Sequence, residues 1–332
     1  MTTDILIIRM SALGDVAMTI PVIYSFARQY PNMHVSVLTR PFFAKLFINA
    51  PYNIEIICFP SQKRYNKVVA LWNLLFLLMR KRFCYVADLH NVLRSWIICF
   101  FLMATGSKVK MIDKGRIKRP KFLREKQQQR NFILRYCDVF HKLGFPVVIN
   151  FNSVFTVEPQ LPQDFKLRKP AIGIAPTARY ANKTYPIEHT REVINKLIKD
   201  GFNVYIFGAR SEIETLNWIS NGKATVVAGQ YDIQQELAIM YHLDLMLTMD
   251  SANQHLAAMV GTKVLTIWGS TTPECGFSPF KSKTENALLS RCVCQPCTIA
   301  GSDTCKSGTL ECMMTIMPDY IVNKIKLEMD EE

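Results

Sequence analysis

Asp250, Ser251, Asn253 and His255 fall within six residues, at the junction of the apolar run Leu243–Met249 and the helical stretch Ala252–Val260. The run suits a buried parallel strand, Asp250 and Ser251 suit an N-cap, and Gly261 suits a helix stop. A second apolar strand, Val264–Trp268, opens into Gly269-Ser270-Thr271-Thr272-Pro273. In such a strand–helix–strand unit, polar residues at the carboxyl end of the strand face the usual ligand crevice. Unpaired N–H groups and the partial positive charge of the helix start suit a phosphate or diphosphate, and the hydroxyls of Gly269–Thr272 add donors. Helix capping alone accounts for the same residue types.

A second carboxylate stands at the other end of the chain. Ile5–Ile8 is a strand-length apolar run, and Met10-Ser11-Ala12-Leu13-Gly14-Asp15 forms a tight loop before a helix with Ala17, Ile20 and Ile23 on its apolar side. The first strand of a doubly wound sheet ends at the crevice, so Asp15 projects there either as a reactive carboxylate or as a cap.

Strand and helix signals alternate along the whole chain. Val35–Leu38, Ile54–Cys58 and Tyr85–Leu89 continue the first half, and Ala171–Ala175, Val204–Phe207 and the helix Ile233–Tyr241 lead through the second. That rhythm predicts an α/β protein with parallel sheets. At 332 residues the chain exceeds one core, and Pro159, Pro162 and Pro170 mark a linker. The expected division is 1–160 and 161–332.

These elements carry an inventory of further polar residues. His90, Asn91 and Arg94 follow the Tyr85–Leu89 strand, while Asp88 and Ser95 suit capping. Glu212 and Glu214 follow Val204–Phe207, where an acidic residue can bond a ribose hydroxyl; a surface-helix role is the alternative. Lys108–Lys126 holds nine Lys or Arg, Lys118, Arg119 and Lys121 among them, and reads as a mobile loop. It is either a solvated charge run or a holder of anionic groups.

The net charge of +13 favours an anionic partner. Nucleic acid is not expected, because no recognition module or aromatic-basic interleaving occurs. A G-x-x-x-x-G-K-[ST] loop is also absent, which argues against a nucleoside triphosphatase. Without a basic, apolar leader the protein is expected to be cytoplasmic. Val68–Met79, broken by Asn73, and Ile97–Ala104 are too short to span a bilayer, though Val68–Met79 with Arg80-Lys81-Arg82 is a candidate for membrane-surface contact.

Cys58, Cys84, Cys99, Cys137 and Cys275 are scattered and read as reduced core residues, whereas Cys292, Cys294, Cys297, Cys305 and Cys312 crowd together. Cys294, Cys297, Cys305 and Cys312 have a spacing usable by a structural zinc; a disulfide-bonded loop and a reduced packing cluster are the rival readings.

The motifs together resemble glycosyltransferase family 9, the ADP-heptose:lipopolysaccharide heptosyltransferases. Asp250-Ser251-x-x-x-His255-Leu256-Ala257-Ala258 with Gly261, then Trp268-Gly269-x-Thr271-x-Pro273 and Gly276, is similar to the donor-binding signature, with Ala252 where the family usually has Gly. Arg9-x-Ser11-Ala12-Leu13-Gly14-Asp15-Val16 with Pro21 is similar to the amino-terminal motif. Pro176-Thr177-Ala178-Arg179-Tyr180-Ala181-Asn182-Lys183 resembles the diphosphate loop, with Tyr185 where Trp is usual.

The resemblance implies GT-B architecture, two doubly wound Rossmann-like domains facing a central cleft, the first binding acceptor and the second the nucleotide-sugar donor. It implies inverting transfer of heptose from ADP-heptose to the lipopolysaccharide inner core, with no cofactor required for catalysis and with peripheral contact at the inner membrane's cytoplasmic face. Asp15 is then the base. Thr177, Lys183, Glu212, Asp250, Ser251, Ala252, Asn253 and His255 bind donor, Lys183 also stabilising the leaving diphosphate. His90, Asn91, Arg94, Lys118, Arg119 and Lys121 bind acceptor. A nucleotide-sugar-binding protein without transfer activity and a sugar-nucleotide epimerase of GT-B architecture are the alternatives.

Overall fold

Ile5, Leu6, Ile7 and Ile8 are all fully buried, as a strand covered on both faces requires. They form the centre of the first of two sheets in a computed structural model that describes residues 3–59, 67–305 and 307–330. The first sheet contains β1 (Thr3–Ile8), β2 (Met33–Thr39), β3 (Ile54–Cys58), β4 (Tyr85–Asp88) and β5 (Lys108–Met111). Its strands are all parallel in the order β3-β2-β1-β4-β5.

Leu6, Ile8, Leu38 and Val86 share a core with Leu74, Leu75 and Leu78 of the helix Lys67–Lys81 and with Ile98, Cys99 and Leu102 of the helix Leu93–Ala104. The helices Leu13–Gln29 and Phe132–Leu143 pack together elsewhere in this unit, with the Phe26 and Phe140 rings stacked at 4.6 Å.

The second sheet contains β6 (Ala171–Ala175), β7 (Asn203–Ile206), β8 (Thr225–Val226), β9 (Leu245–Met249), β10 (Lys263–Ile267) and β11 (Ala287–Leu288). It too is wholly parallel, ordered β8-β7-β6-β9-β10-β11. Counted from its own first strand, this order reverses where β6 meets β9, just as the first sheet reverses where β1 meets β4. Each reversal is the topological switch point at which a doubly wound sheet opens its ligand crevice. The helix Ala252–Val260 lies between β9 and β10 and ends on Gly261, whose φ of +96° is the left-handed conformation that a glycine C-cap adopts without strain. The final helix, Pro318–Asp330, packs on Ile187–Lys199 and contributes Ile321, Val322 and Ile325 to the second core.

The chain therefore contains two Rossmann-like units, as the GT-B expectation requires, but their borders are not one cut at 160. Residues Met1–Arg116 and Phe132–Thr156 form one compact unit, and Ile117–Asn131 and Val157–Glu332 form the other. The basic run is not a loop either. It contains β5, a 3-10 turn at Arg116–Lys118 and the helix Arg119–Glu125, anchored by Phe122 at 1% exposure. A single apolar residue fixes a segment that charge density alone marks as solvated.

Candidate functional site

At the switch point of the first sheet, the loop after β1 and the loop after β4 bring four polar groups together. Arg9 is buried, and its Nη2 lies 2.6 Å from Asp15 Oδ2 while its Nη1 donates to the Leu89 carbonyl at 2.6 Å. The Ala12 amide also donates to Asp15 Oδ2, at 3.1 Å, so Asp15 serves the helix start that it was expected to cap. Ser11 Oγ lies 3.2 Å from His90 Nε2.

Burial, and then the positive charges of Arg9 and Lys114, push the His90 imidazole down to about 3. It is therefore neutral at physiological pH and acts as a hydrogen-bonding group rather than a cation. Lys114 is itself lowered to about 8, first by burial and then by Arg9 and Arg116.

Asp88 is fully buried and organises the turn that presents His90. Its Oδ1 accepts from the amides of His90 and Asn91 at 2.8 and 2.9 Å, and its Oδ2 accepts from Ser95 Oγ at 2.7 Å. Burial raises its pKa, against the lowering effect of these bonds. Asn91 is absorbed by the same turn: its Nδ2 donates to the Ile112 carbonyl and its Oδ1 accepts from Trp96 Nε1. Arg94 stacks 5.2 Å over Phe59.

The switch point of the second sheet gathers residues from three loops. Lys183, on the 3-10 turn Ala181–Lys183 after β6, places Nζ 2.6 Å from Asp250 Oδ2, directly after β9, both side chains being largely buried. Thr271 Oγ1, from the loop after β10, donates to the same Oδ2 at 2.6 Å, and Gln254 Nε2 donates to Oδ1 at 2.9 Å. Gln254 is fully buried and accepts in turn from Thr266 Oγ1, which locks the carboxylate to β10.

Ser251 occupies the N-cap position in extended conformation, yet its hydroxyl makes no cap bond and lies 3.4 Å from Thr248 Oγ1. The first-turn N–H groups of Ala252–Val260 are thus left uncapped by that side chain, as an anion-binding helix start requires. Ala252 and Asn253 stand partly exposed in this turn, and His255 is buried one turn on, its Nε2 3.3 Å from Gln254 Nε2. Thr177 is partly exposed just beyond β6.

The loop after β10 is held at close range. A Cβ on Gly269 would lie 2.6 Å from the Asn182 carbonyl, so only glycine permits this approach. Ser270 Oγ donates to Asn182 Oδ1 at 2.8 Å, and Gln295 Nε2 donates to the Trp268 and Gly269 carbonyls at 3.0 and 2.7 Å. Thr272 Oγ1 is buried without a hydrogen-bond partner. Glu212, after β7, spends Oε2 on the Ala209 amide at 2.7 Å and so closes its own turn.

Other candidate residues stand in surroundings that the sequence did not specify. Lys118, Arg119 and Lys121 belong to the segment Ile117–Asn131, which clusters with the second unit rather than with His90 and Asn91 in the first, and the Gln129 amide donates to Glu274 O there. Lys121 also pairs with Glu125 at 3.6 Å.

Among the described residues no group of three or more His, Cys, Asp or Glu is arranged to hold a metal, so the zinc reading of Cys294, Cys297, Cys305 and Cys312, one of three that their spacing left open, finds no assembled cluster. The thiols have other partners. Cys297 Sγ points to the Ser270 carbonyl, Cys305 to Ser307 Oγ, and Cys312 into the core, while Cys292 and Cys294 face each other at 3.5 Å. No disulfide joins any of the ten cysteines, and Cys58 and Cys84 are exposed rather than core residues. Sequence reasoning missed Arg9 as the partner of Asp15, Lys114, and the Gln254–Thr266 link; Arg9 alone had a signal, its place in the amino-terminal motif.

Residues 72–306 match the family model described as glycosyltransferase family 9 (heptosyltransferase). The chain is 23% identical over 282 residues to lipopolysaccharide heptosyltransferase 3 of Escherichia coli, covering 78% of this chain and 81% of that one. Its fold is similar to that of a family 9 glycosyltransferase from Veillonella parvula, with a TM-score of 0.76 at 15% identity over 99% of this chain and 98% of the other. It is also similar to the E. coli ADP-heptose lipopolysaccharide heptosyltransferase II structure, with a TM-score of 0.73 at 17% identity and 99% of each chain covered.

Proposed function

The chain belongs to glycosyltransferase family 9, the heptosyltransferases, and from that premise we propose that it transfers a heptose from ADP-heptose to the inner core of lipopolysaccharide, with inversion at the anomeric carbon. The observation that carries this reading is the junction of Lys183 and Asp250, 2.6 Å apart beside an uncapped helix start at a topological switch point. A cation, helix N–H groups and the hydroxyl of Thr177 there suit a diphosphate, and Asp250, fixed by Thr271 and Gln254, is the group to orient the donor sugar.

In this mechanism an acceptor hydroxyl attacks the anomeric carbon and the new C–O bond forms as the bond to the diphosphate breaks. ADP departs with the electron pair, its growing charge met by Lys183 and the helix start. The hydroxyl proton passes to Asp15, which Arg9 and the Ala12 amide hold in place. His90, neutral and steadied by the Asp88 turn, is suited to hydrogen-bond the acceptor sugar. An acceptor carried on lipid sets this work at the cytoplasmic face of the inner membrane.

Purified protein incubated with ADP-heptose and a heptose-deficient lipopolysaccharide acceptor should yield an acceptor heavier by one heptose, with the opposite anomeric configuration by NMR. Donor binding without transfer would favour a nucleotide-sugar-binding protein, and a changed donor with no acceptor product would favour an epimerase.

A further inference from the structure

The helices Lys67–Lys81 and Leu93–Ala104 each bury one face in the first core, yet their outward faces are also apolar. Val69, Trp72 and Phe76 recur at helical spacing on one, and Leu93, Trp96 and Phe100 on the other, with Trp72 57%, Phe76 65%, Leu93 70% and Phe100 64% exposed. The Trp72 and Phe101 rings meet edge to face at 5.6 Å, which sets the two helices side by side as a single surface. A helix that is apolar on every side is one whose outer face is covered by something other than water.

The charges indicate the cover. Neither helix contains Asp or Glu, and the charged side chains at the outer end of Lys67–Lys81 are cationic, with Arg80 stacked 5.6 Å over Phe76. A second copy of this face would set arginine against arginine with no acidic partner on either helix. Two of the chain's four tryptophans lie here, the Trp96 N–H being satisfied by Asn91 at 2.7 Å, and Trp with cationic side chains suits the headgroup boundary. Among the described residues no helix is long and apolar enough to cross a membrane.

We propose that these two helices form a docking face for an anionic lipid bilayer, lying in its surface with Trp72, Phe76, Trp96 and Phe100 inserted among the headgroups. The proposal gives a surface to the lipid-borne acceptor reading above and takes its purpose from it. Helix Leu93–Ala104 follows directly from the Asp88 turn, so docking would hold the His90 loop close to lipid.

The full chain should float with mixed phosphatidylglycerol and phosphatidylcholine vesicles, less well in high salt, and brominated lipids should quench its tryptophan fluorescence. Phe76→Glu with Phe100→Glu should lower vesicle binding by about tenfold or more, because charged groups are costly at apolar depth. The same variant should keep its melting temperature and its transfer to a water-soluble acceptor sugar. Absence of both flotation and quenching in the unaltered chain would overturn the proposal, as would undiminished flotation of the double variant. A dimer in light scattering that the same substitutions dissolve would assign the face to a second copy and overturn it too. Transfer in solution without flotation would fail this proposal alone, whereas flotation without transfer would fail the sugar-transfer reading alone.

Discussion

Arg9 Nη2 lies 2.6 Å from Asp15 Oδ2, and the guanidinium that makes this contact is 3% exposed. A buried cation fixes the direction of a carboxylate that is itself partly open to solvent. Asp15→Asn keeps the shape and can still accept from the Ala12 amide, so fold and nucleotide affinity should persist. Loss of a general base typically lowers rate by on the order of 10² to 10⁴. Single-turnover rates at saturating donor and acceptor test this, and near-full activity would reduce Asp15 to a cap.

Arg9→Met should act through position rather than chemistry. The Leu89 carbonyl loses the Arg9 donor and Asp15 keeps the Ala12 amide but loses its ion pair, at a cost of roughly 1–3 kcal/mol in stability. Turnover should fall while ADP affinity stays unchanged, because the partners of Arg9, Asp15 and the Leu89 carbonyl, belong to the first unit and the proposed diphosphate ligands to the second. Equal loss of ADP binding in calorimetry would contradict that separation.

Lys183→Ala should differ in kind, weakening ADP binding about 10- to 100-fold as well as slowing turnover, since in the proposed mechanism the ammonium meets the diphosphate in ground and transition states alike. It also removes the ion-pair partner of Asp250 beside the proposed diphosphate site. Adding Asp250→Asn should therefore recover part of the lost ADP affinity, though not turnover. A double variant that binds ADP more weakly than Lys183→Ala would refute this electrostatic account.

Glu236 supplies a pH test away from the chemistry. Burial, and then the nearby Asp232, push its carboxyl up to about 7, well above the value of an unfolded chain. The folded protein keeps this proton longer, so the stability associated with it is fully present below the unfolded pKa and is lost as pH rises towards 7. Glu236→Gln should match the natural chain in urea unfolding at pH 4 and exceed it at pH 8, by at most about 3 kcal/mol. A variant no more stable at pH 8 would show that the carboxylate is paired.

Gly269→Ala tests the close approach of the loops. The new methyl would lie 2.4 Å from Met313 Cε, which can yield, and 2.6 Å from the Asn182 carbonyl, which is backbone. Overpacking of this kind costs roughly 1–3 kcal/mol, and displacement of Asn182 should carry Lys183 with it. Thermal melting and ADP titration should both register the change; unaltered ADP affinity would separate the two loops.

The strand ends were legible because apolar runs, caps and glycine stops are local signals. Asp250, Lys183 and Asp15 stand at the switch points where alternating strand and helix signals place them. Arg9 and Gln254 were not legible as partners of Asp15 and Asp250. Their roles depend on which loop a long side chain meets, and no spacing rule specifies that. Glu212 is a plain case of competing roles, since a carboxylate at a strand end can close its own turn, as its 2.7 Å bond to Ala209 does. Charge density misled in Lys108–Lys126, where the pairing of β5 with β4 and the burial of Phe122 override solvation.

The path of the chain limits how such proteins can recombine. It leaves the first unit at Arg116, returns at Phe132 and leaves again after Thr156. Residues 117–131 therefore travel with the amino-terminal half in any hybrid with a single junction after Thr156, although Gln129 bonds to Glu274 and Arg130 O lies 2.9 Å from where a Cβ of Gly276 would stand. A hybrid joined near residue 160 would graft one parent's strip onto the other parent's sheet, so inheritance of an intact second unit requires three coordinated breakpoints rather than one.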